Sequence, residues 1–329
     1  MNPVLRIGVL GAARIAASFC QGVAPSTALH VTAVASRSAD RAAAFAQANG
    51  VPRVRPDYDA LLGDAEIDAV YIALSNDQHV PWALRALAEG KHVLCEKPMA
   101  LSVDDVDRLR AAADAAGRVV MEAFPYRFQP QTLDLLTRVR GGQIGRLRQL
   151  SGMFGFTLRR DADIRLDPAL GGGSLWDVGV YPLSLIRALA GGLPATVQAS
   201  AAWGGTGVDR ALAAVLVWDD GLMATLQCWF DAVPHRHLRI VGTESTLASG
   251  FFNHVGPGQD WVEVAEGYDS RREPVPQGNG FLLEAEAFAA LARGEEPRPH
   301  WPTWAETRDT TRLAQALLRS ATEGRPIAP

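Results

Sequence analysis

The stretch Cys95-Glu96-Lys97-Pro98 follows the apolar run His92-Val93-Leu94 without a break. A carboxylate, an ammonium and a backbone-locking proline therefore stand where a short buried strand should end. A lysine delivered to a strand end can steady developing oxyanion charge; the plain alternative is a surface lysine beside a turn proline. Nearer the N-terminus, Gly11-Ala12-Ala13-Arg14-Ile15-Ala16 follows another apolar run. It fills the slot of the G-x-G-x-x-G turn, with alanine in the second and third glycine positions. Gly11 suits the tight turn, and the amides opening the next helix can hold a pyrophosphate. A third run, Val34-Ala35, leads into Ser36-Arg37-Ser38, where a ribose with a free hydroxyl usually meets Asp or Glu. A hydroxyl and a guanidinium instead suit a ribose 2′-phosphate through charge-assisted bonds, with Arg41 one helical turn later. NADP is thus expected over NAD, and a methyltransferase, whose similar turn expects an acid here, is disfavoured.

The elements that must position these residues follow from hydrophobic periodicity. In the first third, strands are predicted at 6–10, 30–34, 69–73, 92–95 and 119–122, and helices at 15–23, 39–48, 80–89 and 103–116. Continuous apolar strands separated by helices imply a parallel sheet covered on both faces, with ligands at the carboxyl ends of the strands. After about Tyr126 the pattern changes. One helix (131–140) and one strand (147–154) precede the Gly-rich loop Ala169-Leu170-Gly171-Gly172-Gly173-Ser174 and a helical stretch to Ala190. Strands at 196–203, 212–218, 223–230, 237–241, 245–249 and 261–265 then follow one another, broken by Gly-containing turns, and two helices (281–292 and 303–323) close the chain. The expected architecture is an α/β Rossmann domain with a doubly wound parallel sheet over 1–125. An α+β domain with a large open, mostly antiparallel sheet follows over 126–329, and the helix at 303–323 is expected to return onto the first domain.

Bulk properties exclude several classes. A chain of 329 residues suits two domains. Its formal net charge of −4, without a long run of one sign, argues against nucleic-acid or membrane-surface partners. No apolar run approaches the ~20 residues of a membrane span. The start, MNPVLRIGVLG, lacks the features of a signal peptide, so a cytoplasmic location is expected. Three dispersed cysteines, Cys20, Cys95 and Cys228, read as reduced core thiols. His235 and His237 would face one side of a strand, yet no third ligand at suitable spacing accompanies them, so no metal is expected. Trp203, Trp218, Trp229 and Trp261 read as packing on the second sheet, and neither a G-x-S-x-G elbow nor a Walker loop is present.

Three stretches together resemble the Gfo/Idh/MocA oxidoreductase family: Gly8–Ala16, Gly90–Pro98 (GKHVLCEKP) and Leu175–Arg187 (LWDVGVYPLSLIR). The likeness covers nearly the whole chain and is nearest to the branch of dimeric dihydrodiol dehydrogenase, NADP-dependent D-xylose dehydrogenase and glucose–fructose oxidoreductase. It implies a Rossmann domain, a second domain with a large mixed sheet, and hydride transfer between a nicotinamide and a carbinol or carbonyl carbon of a sugar or cyclic diol. Carried over, the EKP lysine is Lys97 and the second-domain acid is Asp177. Where many members have a histidine four residues later this chain has Tyr181, which fits that branch and puts inositol-type chemistry in doubt.

On this reading Tyr181 is the proton donor and acceptor. A phenol's ordinary pKa of about 10 is high for the task, and a nearby ammonium such as Lys97 favours the phenolate. Asp177 would hold a substrate hydroxyl and orient the lysine, or else cap a helix. Asp177 and Tyr181 share one face if their segment is helical, though Pro182 must open or kink that helix. A cis Lys97–Pro98 bond is compatible with the motif. Resemblance sets Leu74, Asn76 and His79 over the ribose and nicotinamide, with His79 alternatively a helix cap. Gly11, Ala12, Ala13, Arg14, Ile15, Ser36, Arg37, Arg41, Glu96 and Lys97 complete the cofactor set. Arg127, in Tyr126-Arg127-Phe128, is expected either at the cofactor or substrate or as a brace of the domain interface. A homodimer or homotetramer through the second sheet is expected, since that sheet should leave one face uncovered. Two rival functions stand beside the dehydrogenase: a keto-sugar reductase of the 1,5-anhydrofructose type, and a cofactor-binding sensor or assembly protein without turnover.

Overall fold

Short β-branched runs buried on both faces can only pair side by side under helices, and the first part of the chain does this. The computed structural model describes residues 4–160 and 162–329. Strands β1 (Leu5–Leu10), β2 (Leu29–Ala35), β3 (Arg53–Arg55), β4 (Ala69–Ile72), β5 (His92–Glu96) and β6 (Val120–Ala123) form one sheet. All its pairings are parallel, in the order β3-β2-β1-β4-β5-β6. Helices α1 (Arg14–Val23), α2 (Ala39–Asn49), α3 (Tyr58–Leu62), α4 (Asn76–Ala88) and α5 (Val103–Ala116) connect them. Strand β3 and helix α3 escape the sequence reading because β3 is three residues long with two arginines and α3 is only five residues long.

The second unit begins at Tyr126. Helix α6 (Pro130–Arg140) leads to β7 (Leu147–Gly155), and α7 (Val180–Ala190) follows the Gly-rich loop. Then come β8 (Thr196–Trp203), β9 (Asp209–Val217), β10 (Met223–Trp229), β11 (His235–Gly242), β12 (Thr246–Ser249), the two-residue β13 (His254–Val255), β14 (Trp261–Glu266) and β15 (Asp269–Pro274). Eight of these strands form a mixed sheet in the order β15-β14-β12-β11-β7-β10-β9-β8. Only the β7–β10 pair is parallel. Residues on β8, β9 and β10 alternate between buried and exposed, as a sheet covered on one face requires.

The last two helices part company. Helix α8 (Gly280–Ala292) belongs with the first unit, where Gly22 of α1 lies so close that a Cβ there would meet Phe281. Helix α9 (Trp304–Glu323) belongs with the second unit and packs on α7 and β8. The expected return of the helix at 303–323 to the first domain is therefore corrected: the preceding helix makes that return. The physical reason is composition, because α8 is apolar nearly all round while α9 has one apolar face that a single sheet satisfies. No helix among the described residues is long and apolar enough to cross a membrane, and all three cysteines are buried and free.

The return of α8 buries a carboxyl. Glu284 has no exposed surface, and neither side-chain oxygen has a hydrogen-bond partner. Burial first, and the Glu96 carboxyl second, push its pKa well above the usual range; the Phe124 backbone N–H opposes this without forming a well-made bond. A carboxyl whose pKa is raised on folding contributes full stability below its unfolded pKa and loses it as pH climbs towards the folded value. Glu284→Gln, which carries no charge, should therefore match the parent in thermal midpoint near pH 4 and exceed it near pH 8. Parallel melting profiles across that range would rule out a neutral, strained Glu284.

Candidate active site

Gly11 ends β1 at φ 104°, and a Cβ there would lie 2.7 Å from the Ala73 carbonyl oxygen. Glycine is thus required both by conformation and by the close approach of the chain after β4. The turn opens α1 at Ala13, whose side chain makes no capping bond. The amides of Arg14 and Ile15 are left for a ligand oxygen. Ser36 is buried at the end of β2, while Arg37 and Arg41 are exposed. Neither arginine has an ion-pair partner among the described residues; Arg41 donates only to the Ala12 carbonyl at 3.3 Å. Tyr58, which sequence reasoning missed, lies with them: burial raises its pKa, and the two guanidiniums oppose that rise. A phosphate turn flanked by two unpaired cations fits a dinucleotide bearing an extra phosphate.

At the end of β5, every residue from Val93 to Ala100 is buried except Lys97. The Lys97–Pro98 peptide is cis. The neighbours are tied down. Glu96 accepts from the Tyr71 hydroxyl, Tyr71 stacks on Phe19 at 4.0 Å, and Glu122 accepts from the Met99 amide at 2.9 Å. His79 lies beneath this strand end. It is 1% exposed, with its two ring nitrogens 2.8 Å from the Pro98 carbonyl and 3.1 Å from that of Leu74. Burial, reinforced by Lys97, lowers its pKa. His79 offers no surface to a ligand, which corrects its place among the cofactor contacts: it ties the Leu74 and Pro98 loops together. Nor is it the cap of α4, since Ser75 holds that position. Leu74 and Asn76 remain partly exposed around it.

The second unit repeats this construction. From Gly173 to Ile186 every residue is buried except Asp177. Leu175–Gly179 forms a π-type turn before α7, located where Pro182 has no N–H to give the Val178 carbonyl. Asp209, at the start of β9, fixes this turn. It accepts from Ser174 Oγ and from the Leu175 amide, each at 2.7 Å. Burial raises its pKa against those bonds. Gly173, at φ 119°, allows the approach, for a Cβ there would run into Asp209 Oδ1. Asp177 accepts from Arg165 Nε at 2.6 Å, and Arg165 also bonds Asp163 at 3.1 Å.

Tyr181 is 6% exposed in the first turn of α7. Its backbone carbonyl accepts from the Tyr126 hydroxyl at 2.9 Å, and Tyr126 also lies against Ser184. Burial raises the Tyr126 pKa far above the ordinary phenol value, so Tyr126 stays a protonated donor. Around the Tyr181 ring stand Phe154, edge-on at 5.3 Å, and Arg236, whose guanidinium carbon is 5.2 Å from the ring centroid. Arg127 is 1% exposed and bonds Glu306 at 3.2 Å. Glu306 also closes the capping box of α9 with Thr303. Arg127 and Glu306 both belong to the second unit, so the pair braces that unit internally rather than the domain interface. Burial leaves no face of the Arg127 side chain open to a cofactor, which corrects that expected contact. Arg165, Asp209 and Arg236 carry no motif that would have revealed them, since each meets its partner only through the folding of loops and strands.

The chain's relatives agree with this construction. Residues 5–124 match the family described as "Oxidoreductase family, NAD-binding Rossmann fold", and residues 133–248 match the "GFO/IDH/MocA C-terminal domain". A relative from Haloferax volcanii, D-xylose 1-dehydrogenase (NADP(+)) 2, is 33% identical over 327 residues, covering 98% of this chain and 99% of its own. The crystal structure of an aldose–aldose oxidoreductase from Caulobacter crescentus with glycerol superposes at TM-score 0.90, with 26% identity over 99% of this chain and all of that one. That of a 3-ketoreductase from Actinomadura kijaniata with NADP and TDP-benzene superposes at 0.87, with 27% identity over 97% and 98% of the two chains. With a glycine-turned Rossmann sheet, an EKP lysine at its edge and a large mixed sheet behind an Asp–Tyr turn, this chain belongs to the GFO/IDH/MocA oxidoreductase family.

Proposed function

We propose that the protein is an NADP-dependent dehydrogenase that oxidises a carbinol carbon of a sugar or cyclic diol. The observation that carries this reading is the pattern of exposure at the two strand and helix ends. Lys97 and Asp177 are the only partly open residues in two otherwise buried stretches, and Tyr181 stands one turn beyond Asp177. A polar side chain left partly open within an otherwise buried stretch is placed where a ligand can reach it while its neighbours hold its backbone fixed. Bound nicotinamide would supply the hydride acceptor. Tyr181 would take the carbinol proton, Lys97 would favour the phenolate and steady charge on the substrate oxygen, and Asp177, oriented by Arg165, would hold a neighbouring hydroxyl. Gly11, Ala12, Ala13, Arg14 and Ile15 would seat the pyrophosphate; Ser36, Arg37 and Arg41 the 2′-phosphate; Leu74, Asn76 and Glu96 the remainder.

The names of the xylose dehydrogenase and the aldose–aldose oxidoreductase support an aldose as substrate. The second reading, reduction of a keto-sugar, draws on the 3-ketoreductase and uses the same residues in reverse. A non-catalytic sensor fits less well, because it has no use for an accessible lysine and an aspartate kept open beside a tyrosine. The uncovered face of the second sheet exposes Met223 (45%) and Val215 (38%), and we infer that a second copy of the chain covers it.

Three outcomes test these statements. Lys97→Met and Tyr181→Phe should each lower kcat by about 10²-fold or more in an absorbance assay of NADP reduction on an aldose panel, while NADP still binds. Unchanged turnover in either would count heavily against the assignment. Removing both Arg37 and Arg41 as alanines should raise the KM for NADP by about 10²-fold or more, as loss of two charge-assisted bonds worth about 1.5–3 kcal/mol each implies, with little change for NAD. An equal rise for both cofactors would sink the 2′-phosphate assignment. Met223→Glu should reduce the molar mass seen by light scattering to that of one chain, and a mass already at one chain in the parent would dismiss the shared face.

A further inference from the structure

Arg236 lies on β11 directly opposite Phe154 of β7 in the antiparallel register. Its guanidinium carbon sits 3.7 Å from the Phe154 ring centroid, 5.2 Å from Tyr181, 5.4 Å from Phe251 and 5.9 Å from Phe252. Four aromatic rings thus surround one cation. Stacking satisfies the faces of a guanidinium but not its edge, where five N–H donors point outward in one plane. A single donor is used, from Nη1 to the Phe251 carbonyl at 2.8 Å. Among the described residues no carboxylate lies within ion-pair distance of Arg236, although the chain pairs most of its other buried or half-buried arginines with acids. The side chain is nevertheless only partly covered, so its edge is not sealed in the core.

A stacked guanidinium with no counter-ion keeps its remaining N–H donors turned to solvent, and an anion that reaches them displaces only water. Burial lowers the Arg236 pKa, and only the Tyr181 and Tyr126 phenols oppose this. Arginine's planar fork matches a carboxylate or phosphate in two-point contact. The missing partner is therefore an anion delivered from outside, beside the phenol already read as the proton acceptor.

We propose that Arg236 is a specificity residue that binds an anionic oxygen group, carboxylate or phosphate, on the substrate. This rests on the reading of Tyr181 as the reaction's acid–base group and narrows the substrate to a carbohydrate-sized carbinol carrying such a group. The closeness of the guanidinium to the Tyr181 ring means that the anionic group and the reacting carbinol belong to one small molecule.

Calorimetric titration of the NADP-saturated full-length protein with D-glucuronate, D-glucose 6-phosphate and D-glucose tests the inference without requiring turnover. At least one anionic sugar should bind about tenfold or more tightly than glucose, and which one identifies the anion. Arg236→Met should abolish that difference, and Arg236→Lys, which keeps charge but loses the fork, should retain part of it. Equal binding of all three sugars by the parent, or a preference that survives Arg236→Met, would overturn the proposal. Turnover measured on the same samples separates the two levels: Arg236-dependent binding without any Lys97-dependent turnover would refute the reaction and support the anion site.

Discussion

The second unit depends on one buried carboxyl. Asp209 holds Ser174 Oγ and the Leu175 amide at the mouth of the turn that carries Asp177 and leads to Tyr181. Its burial is unfavourable to charge, and the two hydrogen bonds offset only part of that cost, since bonds to charged groups contribute about 1.5–3 kcal/mol each. Without them the Gly-rich loop would have no fixed join to the sheet, and the wide turn before Pro182 would have no reason to keep its register. Asp177 would then be free to rotate with the turn, and Arg165 could not hold it alone.

The first unit meets the same demand by other means. Here the polar side chain kept open is Lys97, and the strand end beneath it is fastened by Glu96 to Tyr71, by Glu122 to the Met99 amide and by His79 to the Pro98 carbonyl. Each tie uses a side chain from a neighbouring strand or helix. A single accessible ammonium is thus set on a support with little freedom to yield, which is what preorganised electrostatics requires.

Much of this was legible in the sequence, for identifiable reasons. Apolar runs ending in glycine or charge gave the parallel sheet. Gly11 was readable because a tight turn at a strand end has few alternatives. Lys97, Asp177 and Tyr181 were readable because they sit in contiguous motifs. What was lost falls into two kinds. Strand β3 and helix α3 are too short to impose a period; pairing with β2 makes the strand, and the Asp57 cap on the Ala60 amide starts the helix. Asp209, Arg165, Arg236 and the burial of His79 and Arg127 depend on contacts between distant segments, such as Arg127 with Glu306, which no local pattern encodes. In the sequence His79 and Arg127 read either as ligand contacts or as a helix cap and an interface brace. The structure places both inside their own units, His79 between the Leu74 and Pro98 carbonyls and Arg127 against Glu306.

The placement of α8 has a consequence for how the molecule comes into being. The ribosome releases the first unit's six strands early, yet the helix that packs on α1 and buries Gly22 against Phe281 is encoded at residues 280–292. Until that segment emerges, the nascent nucleotide domain carries an uncovered apolar flank, and all eight strands of the mixed sheet are translated before the flank can close. The earlier half of the polypeptide is accordingly finished only shortly before the later one, with α9 alone still to come, and a gene truncated after Pro125 encodes a Rossmann sheet without its final helix.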